Sequence, residues 1–249
     1  MSSDRNLQDY FNLTPAQLDY LLFCSHEFKF ICIRNLRVAS STLVKNLYRL
    51  VSGQYPKEIV KIFNRDTEIF PSFVSKQEEH NLVQLLSTKE YFTFTFVRNP
   101  YTKMLSAYLY FVEDIEKRAG RTFQMQEQFD LPEDYELSFL EFLLRVRETP
   151  TSEMNAHWRP QSMALGLDKM MKYDFIGRFE TLERDLQSVL QHLNHNPDDH
   201  WEIESYRSHG RDANTKLLQY YGHDEQALVA EIYQDDFRYL GYGYELPTI

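Results

Sequence analysis

Short apolar and aromatic runs alternate along this chain with segments whose apolar residues recur at helical spacing. Phe28-Lys29-Phe30-Ile31-Cys32-Ile33 is dense in aromatic and β-branched residues and predicts a strand at 28–33. Leu43, Leu47, Leu50 and Val51 follow at a helical period, so a helix is expected over 40–52. The run from Tyr91 to Val97 predicts a second strand, and the pattern after Pro100 a helix over 102–116. A third pair follows, a strand at 174–178 and a helix at 181–193 with Leu182, Leu186, Val189, Leu190 and Leu193 on one face. Ahead of all these, residues 7–26 read as a leading helical segment, with Thr14 as cap and Pro15 in the first turn. Strands alternating with helices imply an α/β fold, three-layer α/β/α around a mostly parallel central sheet. Nothing marks a repeat or a second domain, so residues 1–249 are expected to form a single domain.

Two of the strand-to-helix passages carry chemistry. The first strand runs through Arg34-Asn35-Leu36-Arg37-Val38-Ala39 into Ser40-Ser41-Thr42, where the helix begins. A polar loop feeding a hydroxyl-rich helix start is a phosphate cradle, built from backbone N–H groups, the helix dipole and side-chain hydroxyls. It is not a Walker loop, because the first glycine of the chain is Gly53. The second strand ends in Arg98, and Ser106 stands eight residues on in the following helix. That spacing lets an arginine fork and a hydroxyl converge on one anion.

Charge and cysteine usage narrow the partners. A net charge of −10 argues against a broad nucleic-acid surface and favours a neutral or cationic acceptor over a long polyanion. No apolar run reaches membrane-spanning length, and the N-terminus lacks a basic-then-apolar leader, so a cytoplasmic protein is expected. Cys24 and Cys32 give neither a disulfide framework nor metal-ligand spacing, and no metal is expected.

In order, five stretches resemble the sulfotransferase superfamily, and its carbohydrate sulfotransferase branch in particular. They are Arg37-Val-Ala-Ser-Ser-Thr42; Arg98-Asn-Pro-Tyr-Thr-Lys-Met-Leu-Ser-Ala-Tyr108; His157-Trp-Arg-Pro-Gln161; Tyr173 to Leu182; and Ile232 to Tyr242. The resemblance implies a P-loop-like fold, with 3′-phosphoadenosine-5′-phosphosulfate (PAPS) as sulfuryl donor and a carbohydrate or small-molecule acceptor. It places the 5′-phosphosulfate at Arg37, Val38, Ala39, Ser40, Ser41 and Thr42, and the 3′-phosphate at Arg98 and Ser106. Where the family usually has Pro-Lys, this chain has Leu36-Arg37. Arginine supplies charge and a bidentate grip at the leaving phosphate, but it does not give up a proton.

Other roles are less sharply marked. His80, between the two nucleotide motifs, is the expected general base; His157, in a motif that lies near the acceptor side in the family, is the rival, and a carboxylate or neither group stays open. Phe179 is a candidate wall for adenine, with Trp158 as the alternative platform. Arg211, in the basic stretch 206–216, is a candidate for closing over the 3′-phosphate. Lys45 reads as a solvated helix lysine, and residues 117–136 as a lid or a plain surface loop. Two other function classes stay open: a non-catalytic nucleotide-binding protein, motivated by Arg37 in the lysine slot, and a P-loop kinase, which lacks its Gly-Lys-Ser/Thr signature.

Overall fold

Residues 5–56, 70, 76–112, 126–132, 135–195, 201–205 and 213–248 are described by the structure, a computed structural model of the chain. They gather into two compact units: Met1–Val97 with Met163–Arg207, and Arg98–Ser162 with Ser208–Ile249.

The first unit holds a four-stranded sheet in the order β1 (Leu22–Ser25), β2 (Phe30–Ile33), β3 (Phe92–Val97), β4 (Phe175–Arg178). β2 pairs parallel with β3, Cys32 opposite Phe94, and β3 pairs parallel with β4, Val97 opposite Arg178. β1 is antiparallel to β2. Side chains alternate across the sheet. Phe30, Cys32, Phe94 and Phe96 lie on one face and pack with Leu43, Val44 and Leu47 of α2 (Ser40–Ser52) and Leu186, Val189 and Leu190 of α7 (Leu182–Leu193). Ile31, Ile33 and Thr95 are fully buried on the other face. Strands covered on both faces need near-continuous apolar sequence, and β2 and β3 have it. This is the mostly parallel α/β sheet that the alternating pattern predicts.

The helix over 40–52 and the strands near 30, 92 and 175 stand where the pattern puts them. The leading segment differs. Instead of one helix over 7–26, the chain makes a 3-10 turn (Leu7–Asp9), α1 (Pro15–Leu21) and then β1. Thr14 does cap α1, its hydroxyl accepting from the Gln17 N–H at 3.2 Å while Gln17 returns a bond to Thr14 N–H. The short run Leu21 to Cys24 fits a buried helix end and a buried strand equally well by periodicity. Pairing with β2 decides for strand, through a turn at 26–29 in which Lys29 takes φ 49°. That turn also explains why β2 starts at Phe30 rather than Phe28.

Asp185 ties the end of β4 to α7. Its Oδ2 accepts from the Arg178 N–H at 2.8 Å and the Thr181 hydroxyl at 2.7 Å, and Arg184 bonds its Oδ1. Burial raises the Asp185 pKa, and these bonds outweigh burial, holding the carboxyl below the ordinary aspartate range. A carboxylate lowered in the fold adds stability that is present above its unfolded pKa and lost as pH falls through the folded one. Asp185→Asn is therefore expected to destabilise the protein by about 1 kcal/mol at neutral pH. The gap in thermal melts should close as pH falls below about 4. An equal loss at both pH values would contradict this role.

The second unit packs α4 (Pro100–Val112), α5 (Phe139–Glu148), α8 (Leu217–Tyr220), α9 (His223–Ile232) and α10 (Gln234–Leu240) around an aromatic core. Between them, α6 (Gln161–Ala164) begins in this unit. Trp158 is the centre of that core. It is fully buried, stacked on Phe129 at 5.6 Å and edge-on to Phe111 and Phe142, and its carbonyl accepts the Tyr233 hydroxyl at 2.6 Å. Trp158 is thus core, not an adenine platform. Such rings contribute about 0.5–1.5 kcal/mol per pair beyond burial, which is reason enough for its presence.

Candidate functional site

The loop that the sequence reads as a phosphate cradle lies in the first unit, immediately after β2. Arg37 has φ 65° and Ala39 φ 48°, both in the left-handed region that residues with a Cβ avoid. Backbone held this way costs on the order of 1–3 kcal/mol per residue and persists where surrounding structure enforces it. Ala39 is also the N-cap of α2, a residue with no side-chain acceptor of its own to cap the helix. The first N–H groups of a helix have no acceptor within it, and a positive backbone field gathers at that end. Strained turns that aim successive N–H groups into one concavity suit a phosphate or sulfate oxygen. Ser40 and Ser41 are half-exposed at the helix start, Thr42 is buried, and Arg37 is half-buried.

Neighbouring polar groups hold this loop in place. The Asn35 side chain donates to the Phe96 carbonyl at 3.2 Å, fastening the loop to β3. Arg34 turns away from the cradle: its Nη2 donates to the Tyr20 carbonyl at 3.0 Å and its guanidinium lies 4.3 Å from the Tyr20 ring. Lys45 is not the solvated lysine its sequence position suggests. Its side chain is only 15% exposed and ion-pairs with Glu204. Asn46, fully buried, donates to the carbonyls of Thr42 and Glu204 and accepts from the Glu204 N–H. Together these bonds bind the segment 201–205 along α2. Arg211, further along the same stretch, lies outside the described residues, as does most of the segment 117–136.

Phe179 sits in a 3-10 turn after β4, half-buried against the cluster that contains α2 and α7. Behind the turn, Glu180, Thr181, Glu183, Gln187, Trp201 and Ile203 border a cleft of ≈ 490 Å³.

Arg98 opens the second unit and is 5% exposed. Its Nε donates to the Thr102 hydroxyl at 2.9 Å and its Nη2 to the Asn214 side-chain oxygen at 3.1 Å. Thr102 and Ser106 are one turn apart on α4, so they share a face. The arginine that touches Thr102 therefore lies along the face bearing Ser106, which is buried at 3% exposure. Lys103 is buried too, and its Nζ donates to the carbonyls of His157 and Arg159.

The two candidate bases stand in different surroundings. His80 is exposed on α3 (Lys76–Ser87), with Nε2 2.9 Å from the Gln84 amide nitrogen. His157 is half-buried and its ring stacks on Tyr110 at 5.1 Å. One side-chain atom of Asn155 accepts from the His157 backbone N–H at 3.0 Å and lies 2.8 Å from Nδ1. An atom that accepts from a backbone N–H is the amide oxygen, so Nδ1 must carry the proton that faces it. The tautomer that results has its basic lone pair on Nε2.

The comparisons with known proteins settle the family. Residues 20–243 match the model of the sulfotransferase family. The chain belongs to that family. It is similar to carbohydrate sulfotransferase 14 of Danio rerio, at 28% identity over 73% of this chain and 51% of the relative. It is similar to carbohydrate sulfotransferase 14 of Mus musculus, at 28% identity over 65% of this chain and 44% of the relative. Carbohydrate sulfotransferase 11 of Mus musculus is 26% identical over 64% of this chain and 49% of that protein. The chain thus spans about half the length of the curated relatives it matches. No solved structure matches it. Among the described residues no helix is long and apolar enough to cross a membrane, and no group of three or more His, Cys, Asp or Glu is placed to hold a metal ion.

Proposed function

We propose that this protein transfers a sulfuryl group from PAPS to a hydroxyl or amine of a carbohydrate acceptor, and that residues 1–249 form one sulfotransferase domain. The family match running through both units supports the single domain. The observation that carries the donor reading is the loop after β2, with two left-handed residues leading into a helix start whose N-cap is an alanine. Such a site suits a dianionic group that brings its own acceptors.

Within that reading Arg37 and the N–H groups and hydroxyls of Ser40, Ser41 and Thr42 hold the 5′-phosphosulfate, with Val38 and Ala39 shaping the backbone. Arg98 and Ser106 hold the 3′-phosphate, and Phe179 walls the adenine. The acceptor oxygen forms its bond to sulfur as the bridging S–O bond breaks, and the electron pair leaves with the 5′-phosphate. Arg37 stabilises the charge that builds there, a role worth most in a preorganised site. A histidine takes the acceptor proton. Of the two candidates His157 has an oriented ring and a defined basic nitrogen, which favours it over the exposed His80.

The acceptor is neutral or cationic, in keeping with a net charge of −10. Cys24 and Cys32 are free and buried, burial pushing the Cys24 thiol up to about 12, which fits a reducing, cytoplasmic setting. Sulfate transfer from PAPS to a neutral oligosaccharide tests the assignment. His157→Ala is expected to slow turnover by about 10²–10⁴ with nucleotide affinity unchanged. His80→Ala should stay near wild type. A large rate loss in His80→Ala alone would reverse the two roles.

A further inference from the structure

Two residues in stretches that mark the family have no part in the roles above: Gln161, at the end of the His157-Trp-Arg-Pro-Gln161 stretch, and Asp236, in the stretch Ile232 to Tyr242. Both are fully buried. The Gln161 side-chain amide clamps the Arg98 peptide from both sides. Its Oε1 accepts from the Arg98 N–H at 3.0 Å, and its Nε2 donates to the Arg98 carbonyl at 2.8 Å. A primary amide matches a peptide in this way as a strand neighbour would, fixing the backbone from which the guanidinium projects.

Asp236 fixes the clamp in turn. Its Oδ2 accepts from the Gln161 N–H at 2.9 Å and from Gln161 Nε2 at 3.2 Å, and its Oδ1 accepts from the Ser162 N–H at 2.7 Å. Burial holds this carboxyl above the ordinary aspartate range, and the bonds from Ser162 and Gln161 and the positive charge of Lys103 offset only part of that. Oδ2 takes the Gln161 backbone N–H and one Nε2 proton, and the Arg98 carbonyl takes the other, so the amide is oriented with its oxygen toward the Arg98 N–H. A buried carboxylate with three N–H donors is expensive to install unless all are satisfied, and here they are.

We infer that Gln161 and Asp236 are positioning residues for Arg98, holding the guanidinium on the path of the 3′-phosphate. This rests on the reading of Arg98 as the 3′-phosphate ligand. It assigns a task to residues 63 and 75 positions apart in sequence from their partners. Preorganisation of this kind acts on the one contact it aims, not on the nucleotide as a whole.

The test compares 3′-phosphoadenosine-5′-phosphate with adenosine 5′-phosphosulfate, which lacks the 3′-phosphate, by calorimetry on the full chain. Gln161→Met and Asp236→Asn keep side-chain size and remove the clamp or its anchor. Each is expected to weaken the 3′-phosphorylated nucleotide by about tenfold or more, the scale of a disturbed hydrogen bond to a charged group. Affinity for the other nucleotide should change less than about twofold. In an Arg98→Ala background, Gln161→Met should add nothing. Equal weakening of both nucleotides, or full additivity with Arg98→Ala, would overturn the inference. So would failure of both single variants to fold, because the pair would then be structural. If Arg98→Ala itself does not discriminate between the nucleotides, the reading of Arg98 fails first.

Discussion

Arg98→Ala is expected to abolish discrimination between nucleotides with and without a 3′-phosphate. The wild-type side chain is buried, with Nε on Thr102 and Nη2 on Asn214, so its direction is set before any nucleotide arrives. A ligand phosphate meets a guanidinium whose rotamer freedom is already spent, which leaves more of the interaction free energy for binding. Removing one charge-assisted fork costs on the order of 2–4 kcal/mol, roughly a 30- to 1000-fold loss for 3′-phosphoadenosine-5′-phosphate. Adenosine 5′-phosphosulfate should lose little. The same loss for both would show that Arg98 supports the fold of its unit and does not read the 3′-phosphate.

Arg37→Ala is expected to eliminate transfer, while Arg37→Lys retains or raises it. Arg37 sits on the strained turn, and no glycine lies anywhere in that loop to relieve it. Alanine keeps the backbone and deletes the charge that offsets the leaving phosphate, an electrostatic contribution commonly worth about 10²–10³ in rate. Lysine restores a point charge in the form the family generally uses, and it loses only the planar fork. Single-turnover rates at saturating PAPS separate this from weaker binding. Near-normal turnover in Arg37→Ala would remove the loop from the chemistry.

Much of this was legible in the sequence, for stated reasons. The helix over 40–52 and its flanking strand were readable because Leu43, Leu47 and Leu50 keep a strict period, and Gly53 ends the helix with φ 76°. The placement of Arg98 and of the 34–39 loop at strand ends was readable because each follows an apolar strand directly. β1 was not, because the short apolar run Leu21 to Cys24 fits either a helix end or a strand until a partner is in place. The pairing of Lys45 with Glu204 joins residues 159 positions apart, and no local pattern encodes it. The tautomer of His157 depends on Asn155, two residues upstream, through a bond that residue type alone does not reveal. Trp158 shows the opposite error: an aromatic that looks available in sequence and is sealed in the core.

Transfer of radiolabelled sulfate from PAPS, across a panel of neutral, cationic and sulfated carbohydrates, addresses the central claim most directly. The reading predicts label on a neutral or cationic carbohydrate, formed with the 3′-phosphorylated nucleotide as co-product and lost in Arg37→Ala. Tight binding of the nucleotide with no label on any member of the panel would contradict it, and would mark the chain as a nucleotide-binding protein that has kept the family's cradle without its chemistry.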